Sequence, residues 1–463
     1  MPPLHARPRT RRATGGRRAA LRHILLSSYL GSVIEWYDFL LYGTAAALVF
    51  DKLFFPGLAP FTGTLASFAT LAVGYLARPL GGLVLGRYGD RAGRRPVLTL
   101  SMLLMGTSSV LIGLLPGYTD LGIAAPLLLV LLRLAQGFAV GGEWGGAALM
   151  AIEHARPGRR GLWGALPQMG APSGLLLSSL VLAAFNTLPE QDFQRWGWRV
   201  PFLLSAVLVA LGYWVRRGLA ESPLFTQDRN QEGSREGEQV PDGTGVLTAD
   251  RTGTAHRPVL ETLRHHRRAT LLAVGIGIGP FTTNAVLITF VPAHAKDLGI
   301  GRPAVLTGLI LACALSLLTL PAYAALSDRI GRRPVSLAGA LLLGGSSFLL
   351  FPLVDSRSPA LFAVALSLNL AVFHAALYGP MAALFAELFP TRTRCTGTSL
   401  GYQAASVLGG SLAPLAATWL VRTGDGKSGN TLAVAVLMAA ACAVSAWSVR
   451  AAGETRDRPL ADG

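Results

Sequence analysis

Charged residues are scarce in this chain of 463 residues. Asp, Glu, Lys and Arg make up 14% of it, whereas hydrophobic residues make up 51%. Because a soluble domain usually carries about 25% charged residues, this chain has more apolar surface than a soluble core needs. The positive mean hydropathy of +0.46 agrees. Lipid is therefore expected to be part of the solvent around this protein.

Cysteine is also rare, with three residues that lie far apart in or beside apolar segments: Cys313, Cys395 and Cys442. This spacing argues against a disulfide framework and against a metal site. The sequence also lacks a His-Glu-x-x-His pair, a Gly-x-Ser-x-Gly elbow, a phosphate loop and an ion-selectivity filter. These absences argue against a membrane-embedded enzyme or a channel, and we expect no cofactor and no metal.

Acidic residues are outnumbered, with 25 Asp and Glu against 41 Lys and Arg, and the net charge is +16. The arginines lie in short loops beside apolar runs and not along an aromatic-spaced face, so we do not expect a nucleic-acid partner. Most of them fall on alternate loops and on both tails, which the positive-inside rule assigns to the cytoplasm. The sequence therefore predicts a multi-pass protein of the bacterial cell membrane with both termini cytoplasmic.

Twelve apolar runs of about 20 residues are long enough to cross a bilayer as helices. They lie near 24-50, 61-84, 97-115, 123-152, 161-184, 199-216, 269-294, 304-325, 334-353, 359-387, 398-421 and 431-449. The first run is too long for the apolar part of a signal peptide. The predicted organisation is a basic N-terminal tail (1-23), a six-helix bundle (24-216), a largely disordered cytoplasmic linker (217-268), a second six-helix bundle (269-450) and a C-terminal tail (451-463).

One signature occurs twice, as Gly-Asp-Arg-Ala-Gly-Arg-Arg-Pro-Val from Gly89 and as Ser-Asp-Arg-Ile-Gly-Arg-Arg-Pro-Val from Ser327. Asp-Arg and Arg-Arg pairs are costly in hydrocarbon, so each copy is predicted to form a tight, Gly-turned loop at a membrane face. A repeat in equivalent places of two halves is typical of secondary transporters. The sequence therefore predicts an all-α membrane protein of twelve helices in two pseudo-symmetric bundles.

The repeated signature also predicts a gate. Its aspartates can pair across neighbouring helices when the cytoplasmic side is closed and release when that side opens. Glu153 and Glu387 are predicted to lie at the cytoplasmic ends of equivalent helices, each followed at the same distance by an arginine, Arg160 and Arg394. The predicted latch residues are Asp90, Arg91, Arg94, Asp328, Arg329, Arg332, Glu153, Glu387, Arg160 and Arg394.

Several ionisable residues lie inside the predicted spans, where each is costly unless it is paired or hydrated. Glu35 and Asp38 share one face of the first span, and the fourth span carries Arg133, Gln136 and Glu143. These groups could be neutralised structural pairs. A carboxylate beside an arginine in a hydrated cavity could instead exchange that arginine for a proton or an anionic substrate, which would link protonation to binding.

Motifs along almost the whole chain resemble the major facilitator superfamily and, within it, the metabolite:proton symporter family, especially its shikimate-transporter branch. They are Gly31 to Phe39 with Tyr42-Gly43, Arg78 to Gly82, Gly86 to Pro96, Arg133 with Gln136-Gly137, Gly141 to Ala147, Trp198 to Phe202, Glu221 to Phe225 and Glu387 to Thr391. The resemblance implies two bundles that rock about a midplane site and import a small organic acid with protons, as a monomer.

On this reading Asp38 and Glu35 are the proton-coupling candidates. The substrate-binding candidates are Arg133, Gln136, Tyr42, Asn284, His374 and Tyr378. Two other functions stay open, which are symport of a zwitterionic osmolyte such as proline or betaine, and efflux of a drug or metabolite by the same fold. The buried charges argue against an efflux pump, which would favour a large apolar pocket.

Overall fold

The computed structural model describes residues 25–39, 41–43, 45, 49–58, 60–156, 158–185, 189–217, 265–422, 431–458 and 460. In these ranges twelve long helices follow one another. They are α1 (25–39), α2 (Pro60–Ala92), α3 (Arg94–Leu114), α4 (Ala124–Glu153), α5 (Arg160–Gln168, continued by Gly170–Phe185), α6 (Arg199–Arg217), α7 (Arg267–Asp297), α8 (Arg302–Ile330), α9 (Arg332–Asp355), α10 (Pro359–Ala386), α11 (Arg394–Val421) and α12 (Thr431–Ala452).

Each predicted span corresponds to one of these helices. In the described part of the chain, nine of them, α3, α4 and α6 to α12, are long and apolar enough to cross a membrane. Short helices at Phe50–Phe54, Tyr118–Leu121 and Glu190–Asp192 and a 3-10 turn at Thr391–Thr393 lie between the long ones. The predicted all-α fold is confirmed.

Large apolar side chains cover the outside of the helices. Leu318 and Leu271 are each 70% exposed, and Trp447 is 68% exposed. An apolar belt of this extent would cause aggregation in water but is stable against lipid tails. The exposed surface therefore supports a membrane location independently of helix length.

The sequence predicted that each signature copy forms a loop. In the structure both copies are helical for most of their length. Helix α2 continues through the first copy to Ala92, and α8 continues through the second copy to Ile330. In each copy a single glycine separates one helix from the next, Gly93 with φ of 101° and Gly331 with φ of 109°. A single glycine suffices because it alone reaches positive φ without steric cost. We call the end of the molecule that holds these two turns the signature end.

Helices α2 and α4 cross with their backbones nearly in contact. A Cβ atom added to Gly81 would lie 1.9 Å from the carbonyl oxygen of Phe138, and one added to Gly141 would lie 2.2 Å from that of Arg78. Small residues allow such close crossings in membrane bundles. The consequence for function is that polar side chains on α2 and α4 lie side by side.

Contacts within each half are accompanied by two equivalent contacts between the halves. Helix α2 packs against α11, and α5 packs against α8. These pairs are related by the repeat, since α8 is the counterpart of α2 and α11 that of α5. The signature end is closed by these two helix pairs.

Two predicted segments fall mainly outside the described residues. The N-terminal tail (1-23) is one, and the linker (217-268) is the other, apart from Arg217 and residues 265–268. The C-terminal tail is described as far as residue 460, and its Thr455 and Leu460 are buried against the signature end.

Candidate functional site

A small charged cavity lies inside the N-terminal half. About 250 Å³ of empty space is lined by Glu35, Asp38, Phe39, Gly74, Arg78, Met105, Arg133, Gln136, Gly137 and Val140. Its four ionisable side chains are each at most 5% exposed. Since charges are expensive to bury without compensation, the cavity joins two carboxylates with two guanidinium groups.

Arg133 is held by aromatic faces and by one amide. Its guanidinium carbon lies 4.2 Å from the ring centroid of Tyr42 and 5.1 Å from that of Phe39. Its Nη1 donates to Oε1 of Gln136 at 3.1 Å. Its Nε is buried and has no hydrogen-bond partner among the described residues. Arg133 therefore keeps donor capacity for a ligand, and the structure brings it together with the predicted Gln136 and Tyr42.

The two carboxylates of α1 are only partly satisfied. Oδ1 of Asp38 accepts a hydrogen bond of 2.6 Å from the Ser205 hydroxyl on α6. Oδ2 of Asp38 and Oε2 of Glu35 are buried without a partner in the described part of the chain. A buried carboxylate oxygen without a donor is costly, so it is a natural place for a proton. The hydrogen bonds described for Asp38 and Arg133 go to Ser205 and Gln136 and not to each other.

Glu143, although on the same helix as Arg133, belongs to a different cluster. Its Oε1 accepts from Nη2 of Arg216 at 2.5 Å, and its Oε2 accepts from the Ser101 hydroxyl at 3.2 Å. Arg216 also donates to the carbonyl oxygen of Leu98. Both side chains are buried and paired with each other, which supports the structural alternative for Glu143.

A second, larger cavity lies between the two halves and is mostly apolar. About 560 Å³ of empty space is lined by Trp36, Ala171, Pro172, Leu175, Pro280, Phe281, Asn284, Ile288, Cys313, Ser316, Leu320, Leu370, His374 and Tyr378. Three predicted substrate residues, Asn284, His374 and Tyr378, line this cavity. The predicted site is therefore divided, with Arg133, Gln136 and Tyr42 around the charged cavity and the other three around the apolar one.

The polar residues of the C-terminal half are held in defined positions. His374 ends a wider π-helical turn of α10, a feature that often occurs at functional sites. Its Nε2 lies 3.2 Å from the carbonyl oxygen of Pro280, a residue whose ring interrupts the regular hydrogen bonding of α7, and its ring stacks on Tyr378 at 5.2 Å. The Tyr378 hydroxyl lies 3.0 Å from that of Tyr402.

Trp144 and Gln168 connect the halves beside this cavity, and the sequence did not single out Gln168 or Tyr402. The Trp144 ring stacks on Tyr402 with centroids 3.6 Å apart, and its Nε1 donates to Oε1 of Gln168 at 3.1 Å. Gln168 in turn donates to the carbonyl oxygen of Tyr378 at 2.8 Å. The Gly-Gly-Glu-Trp-Gly-Gly motif thus supplies a contact between halves.

Two neighbouring rings of α1 each line one of the cavities. Trp36 lines the apolar cavity, Phe39 lines the charged one, and their centroids are 6.0 Å apart in an edge-on arrangement. Phe39 also packs edge-on against Tyr75 of α2 at 5.1 Å. The linings of the two cavities are therefore in contact through this pair of rings.

At the signature end, Asp328 binds the start of a helix from the other half. Its Oδ1 accepts from the backbone N–H of Gly161 at 2.8 Å, and its Oδ2 accepts from that of Leu162 at 2.9 Å. Arg332 donates to Oδ1 at 2.6 Å. A carboxylate at a helix N-terminus is stabilised by the free N–H groups and by the helix dipole.

The glutamates and arginines at this end pair across the halves. Arg394 of α11 contacts Glu153 of α4 at 3.5 Å, and Arg160 of α5 contacts Glu387 after α10 at 3.8 Å. These are not the pairs of near neighbours in the chain, in which Glu153 precedes Arg160 and Glu387 precedes Arg394 at the same distance. The partners are exchanged because the signature end brings α5 to α8 and α11 to α2. Arg332 also donates to Glu387, at 3.3 Å.

The C-terminal tail ties several of these groups together. Glu454 accepts from the backbone N–H groups of Arg332 at 2.9 Å and of Arg333 at 3.1 Å, at the start of α9. Arg160 donates to the carbonyl oxygen of Arg458 at 2.7 Å, and Arg394 donates to that of Leu460 at 2.6 Å. The tail therefore contacts both halves.

The remaining predicted latch residues are less informative. The side chains of Asp90 and Arg94 lie outside the described residues, so their part in the latch stays a prediction. Arg91 is exposed, and the carbonyl oxygen of Arg329 accepts from Arg456 at 2.6 Å. Among the described residues, no group of His, Cys, Asp or Glu is arranged to hold a metal ion.

The fold is that of the major facilitator transporters. The xylose symporter XylE, solved with bound 6-bromo-6-deoxy-D-glucose and described as a major facilitator superfamily protein, superposes with a TM-score of 0.76 at 18% identity, over 96% of this chain and 98% of that one. At this identity the likeness concerns the fold alone. It confirms the predicted fold of the major facilitator superfamily.

The sequence comparisons identify the family. The profile of the family described as "Sugar (and other) transporter" matches residues 24–460, and this chain belongs to that family. The shikimate transporter of Escherichia coli is 38% identical over 430 residues, which cover 92% of this chain and 93% of the relative. A proline/betaine transporter of the same organism is 34% identical over 451 residues, 95% of this chain and 85% of the relative. Both relatives are transporters of metabolites.

Proposed function

We propose that this protein imports a small organic acid, such as shikimate or a similar hydroxylated carboxylate, together with protons across the bacterial cell membrane. The observation that carries the proposal is the charged cavity. There, buried carboxylate oxygens that have no donor among the described residues line the same space as an arginine with unused donor capacity. The 38% identity to a shikimate transporter supports the substrate class.

The substrate is proposed to use both cavities. Its carboxylate would bind Arg133, whose planar guanidinium suits a carboxylate better than an ammonium group does. Its carbon frame would occupy the apolar cavity beside Trp36, with Asn284 and His374 as hydrogen-bonding groups. Side-chain rotation at Phe39 would open the passage between the two spaces.

Asp38 and Glu35 are the proposed proton carriers. When a carboxylate takes up a proton, its attraction for Arg133 falls and the arginine becomes available to the substrate. Binding of the anion and of the proton therefore favour each other, which is the linkage that symport requires. Alternating access would follow from opening and closing of the signature end, proposed to be cytoplasmic, with both termini on that side.

The test is uptake of labelled acids by proteoliposomes that contain the purified protein. With an inward proton gradient, shikimate should accumulate above its external concentration, and an uncoupler should abolish the accumulation. Labelled proline and betaine serve as the second arm, because the proline/betaine relative favours a zwitterion whose cationic end could lie against the aromatic wall of the apolar cavity. Accumulation of betaine but not of acids would replace the organic-acid proposal. Export against the gradient would indicate an efflux antiporter.

A further inference from the structure

Arg78 is the least expected member of the charged cavity. It lies on α2 within the close crossing of α2 with α4 and is 5% exposed. Its guanidinium carbon lies 4.9 Å from the Phe39 centroid and 4.3 Å from the Tyr75 centroid. Because Arg133 lies 5.1 Å from the same Phe39 ring, two guanidinium groups share one aromatic side chain at the edge of the cavity.

The crossing of α2 and α4 makes this arrangement possible. A Cβ atom at Gly74 would lie 2.7 Å from Nε of Arg133, so the absence of a side chain there lets Arg133 lie directly against α2. Two like charges this close repel unless negative charge is nearby. The cavity supplies that charge through Glu35 and Asp38 of α1.

The ionisable groups of the cavity therefore balance one another. With both carboxylates ionised, two negative charges face two positive charges, and the buried site is neutral. The other charges on adjoining helices, Glu143 of α4 and Arg216 of α6, neutralise each other at 2.5 Å. Other polar groups described around the cavity are neutral: Tyr42, Tyr75, Ser109, Ser205 and Gln136.

We infer that Arg78 is a second substrate-binding cation and that the cavity takes up one proton for each negative charge of its ligand. An anion that entered the neutral site alone would leave an uncompensated buried charge, which is strongly unfavourable. An incoming monoanion is compensated when either Glu35 or Asp38 accepts a proton from the solution that the site faces. The positive charge that this carboxylate no longer neutralises then binds the ligand. This inference rests on the proposed function and specifies its charge balance.

Charge counting predicts how many protons each form of the protein takes up when it binds an anion. The probe is shikimate, a monoanion at neutral pH, and the measurement is its dissociation constant for the purified protein as a function of pH. Each proton taken up on binding weakens the apparent affinity about tenfold per pH unit above the pKa of the accepting group. The pH dependence of the shikimate dissociation constant of wild-type protein should correspond to uptake of about one proton.

Three variants change the charge of the cavity. Glu35→Gln leaves one positive charge in excess, so shikimate should bind with about zero protons. Arg78→Gln leaves one negative charge in excess, so the free variant should already hold a proton on one of the two carboxylates. Shikimate should then take up about one more proton, and it should bind more weakly than to wild-type protein because only Arg133 is left to bind it. The combined variant restores neutrality, and its dependence should return to about one proton.

Controls separate a charge effect from a loss of structure. Arg78→Lys keeps the charge but loses the planar group, so it should weaken binding while the dependence stays at about one proton. Arg450→Gln, at the exposed end of α12, makes the same chemical change as Arg78→Gln away from the cavity and should behave as wild type.

The outcomes are distinguishable. If wild-type protein binds shikimate with proton uptake and Arg78→Gln leaves the affinity unchanged, the inference is wrong while the proposed function stands. If Arg78→Gln cannot be purified, Glu35→Gln provides the test. Shikimate binding to Glu35→Gln with uptake of one proton, as in wild-type protein, would overturn the inference. If wild-type protein binds no organic acid, the proposed function and the inference both fail.

Discussion

The contact between Asp328 and α5 gives a quantitative prediction for the signature end. In the closed arrangement the carboxylate accepts two backbone hydrogen bonds, at 2.8 and 2.9 Å, from the first turn of α5. These bonds join the two halves, so they must break when the signature end opens. Asp328→Asn should therefore shift the equilibrium towards the open arrangement.

The size of the shift follows from the hydrogen bonds that asparagine cannot make. Its amide has one acceptor oxygen, so one N–H group can keep a neutral acceptor while the other faces an NH₂ group. The variant thus loses about one hydrogen bond to a charged group, worth roughly 1.5–3 kcal/mol, and weakens the contact of Arg332. A change of about 1–3 kcal/mol corresponds to roughly a 5–150-fold change in the ratio of closed to open molecules.

Distance measurements between spin labels can detect this change. Arg156→Cys and Ile330→Cys place labels on exposed positions of the two halves at the signature end, and the three native cysteines are buried. Asp328→Asn should add a population at longer distances. Asp355→Asn is the matched control, because Asp355 lies at the opposite end of α9 and pairs with His294. Well-expressed Asp328→Asn protein with an unaltered distance distribution would refute the latch, and poor membrane insertion would point to a role in topology.

Four further predictions concern single groups. Asp38→Asn should abolish accumulation of substrate against a gradient while exchange or binding persists, and accumulation at the wild-type rate in proteoliposomes would show that Asp38 is not the coupling group. Arg133→Lys should weaken substrate binding roughly tenfold or more, because an ammonium cannot donate bidentately, and an equal affinity in equilibrium binding would leave Arg133 a structural counter-ion. Glu143→Gln should destabilise the protein by about 3–5 kcal/mol, since its buried arginine partner would lose its counter-ion, and an unchanged thermal midpoint in detergent would contradict this. Burial raises the pKa of Glu454, but backbone N–H groups at the start of α9 and in the tail lower it below its ordinary value of 4.5. The lowered pKa means that ionised Glu454 stabilises the docked tail. This stabilisation is fully present above pH 4.5 and is lost as the pH falls through the lowered value, so a spin label at Asp457→Cys should become mobile only in acid.

The sequence by itself determined the class of the protein. Scarce charge and long apolar runs require a membrane, because the chain has too few polar groups to cover its surface in water. The number of spans followed from the thickness of a bilayer, and the repeated signature predicted the two related halves. Charges in the middle of the predicted spans, such as Asp38 and Arg133, also stood out, since a charge in hydrocarbon is costly unless it is paired or hydrated.

Only the tertiary structure decided which of these groups meet. Partners within one helix can be derived from helical periodicity, but contacts between helices depend on crossing points, which no local pattern specifies. The crossing of α2 and α4 placed Arg78 beside Arg133, and the approach of α6 gave Glu143 a structural partner in Arg216. The crossed pairs of Glu153 with Arg394 and of Glu387 with Arg160 arise because each half closes against the other at the signature end. The division of the predicted site into a charged and an apolar cavity has the same cause, since the first lies within one bundle and the second lies between the two.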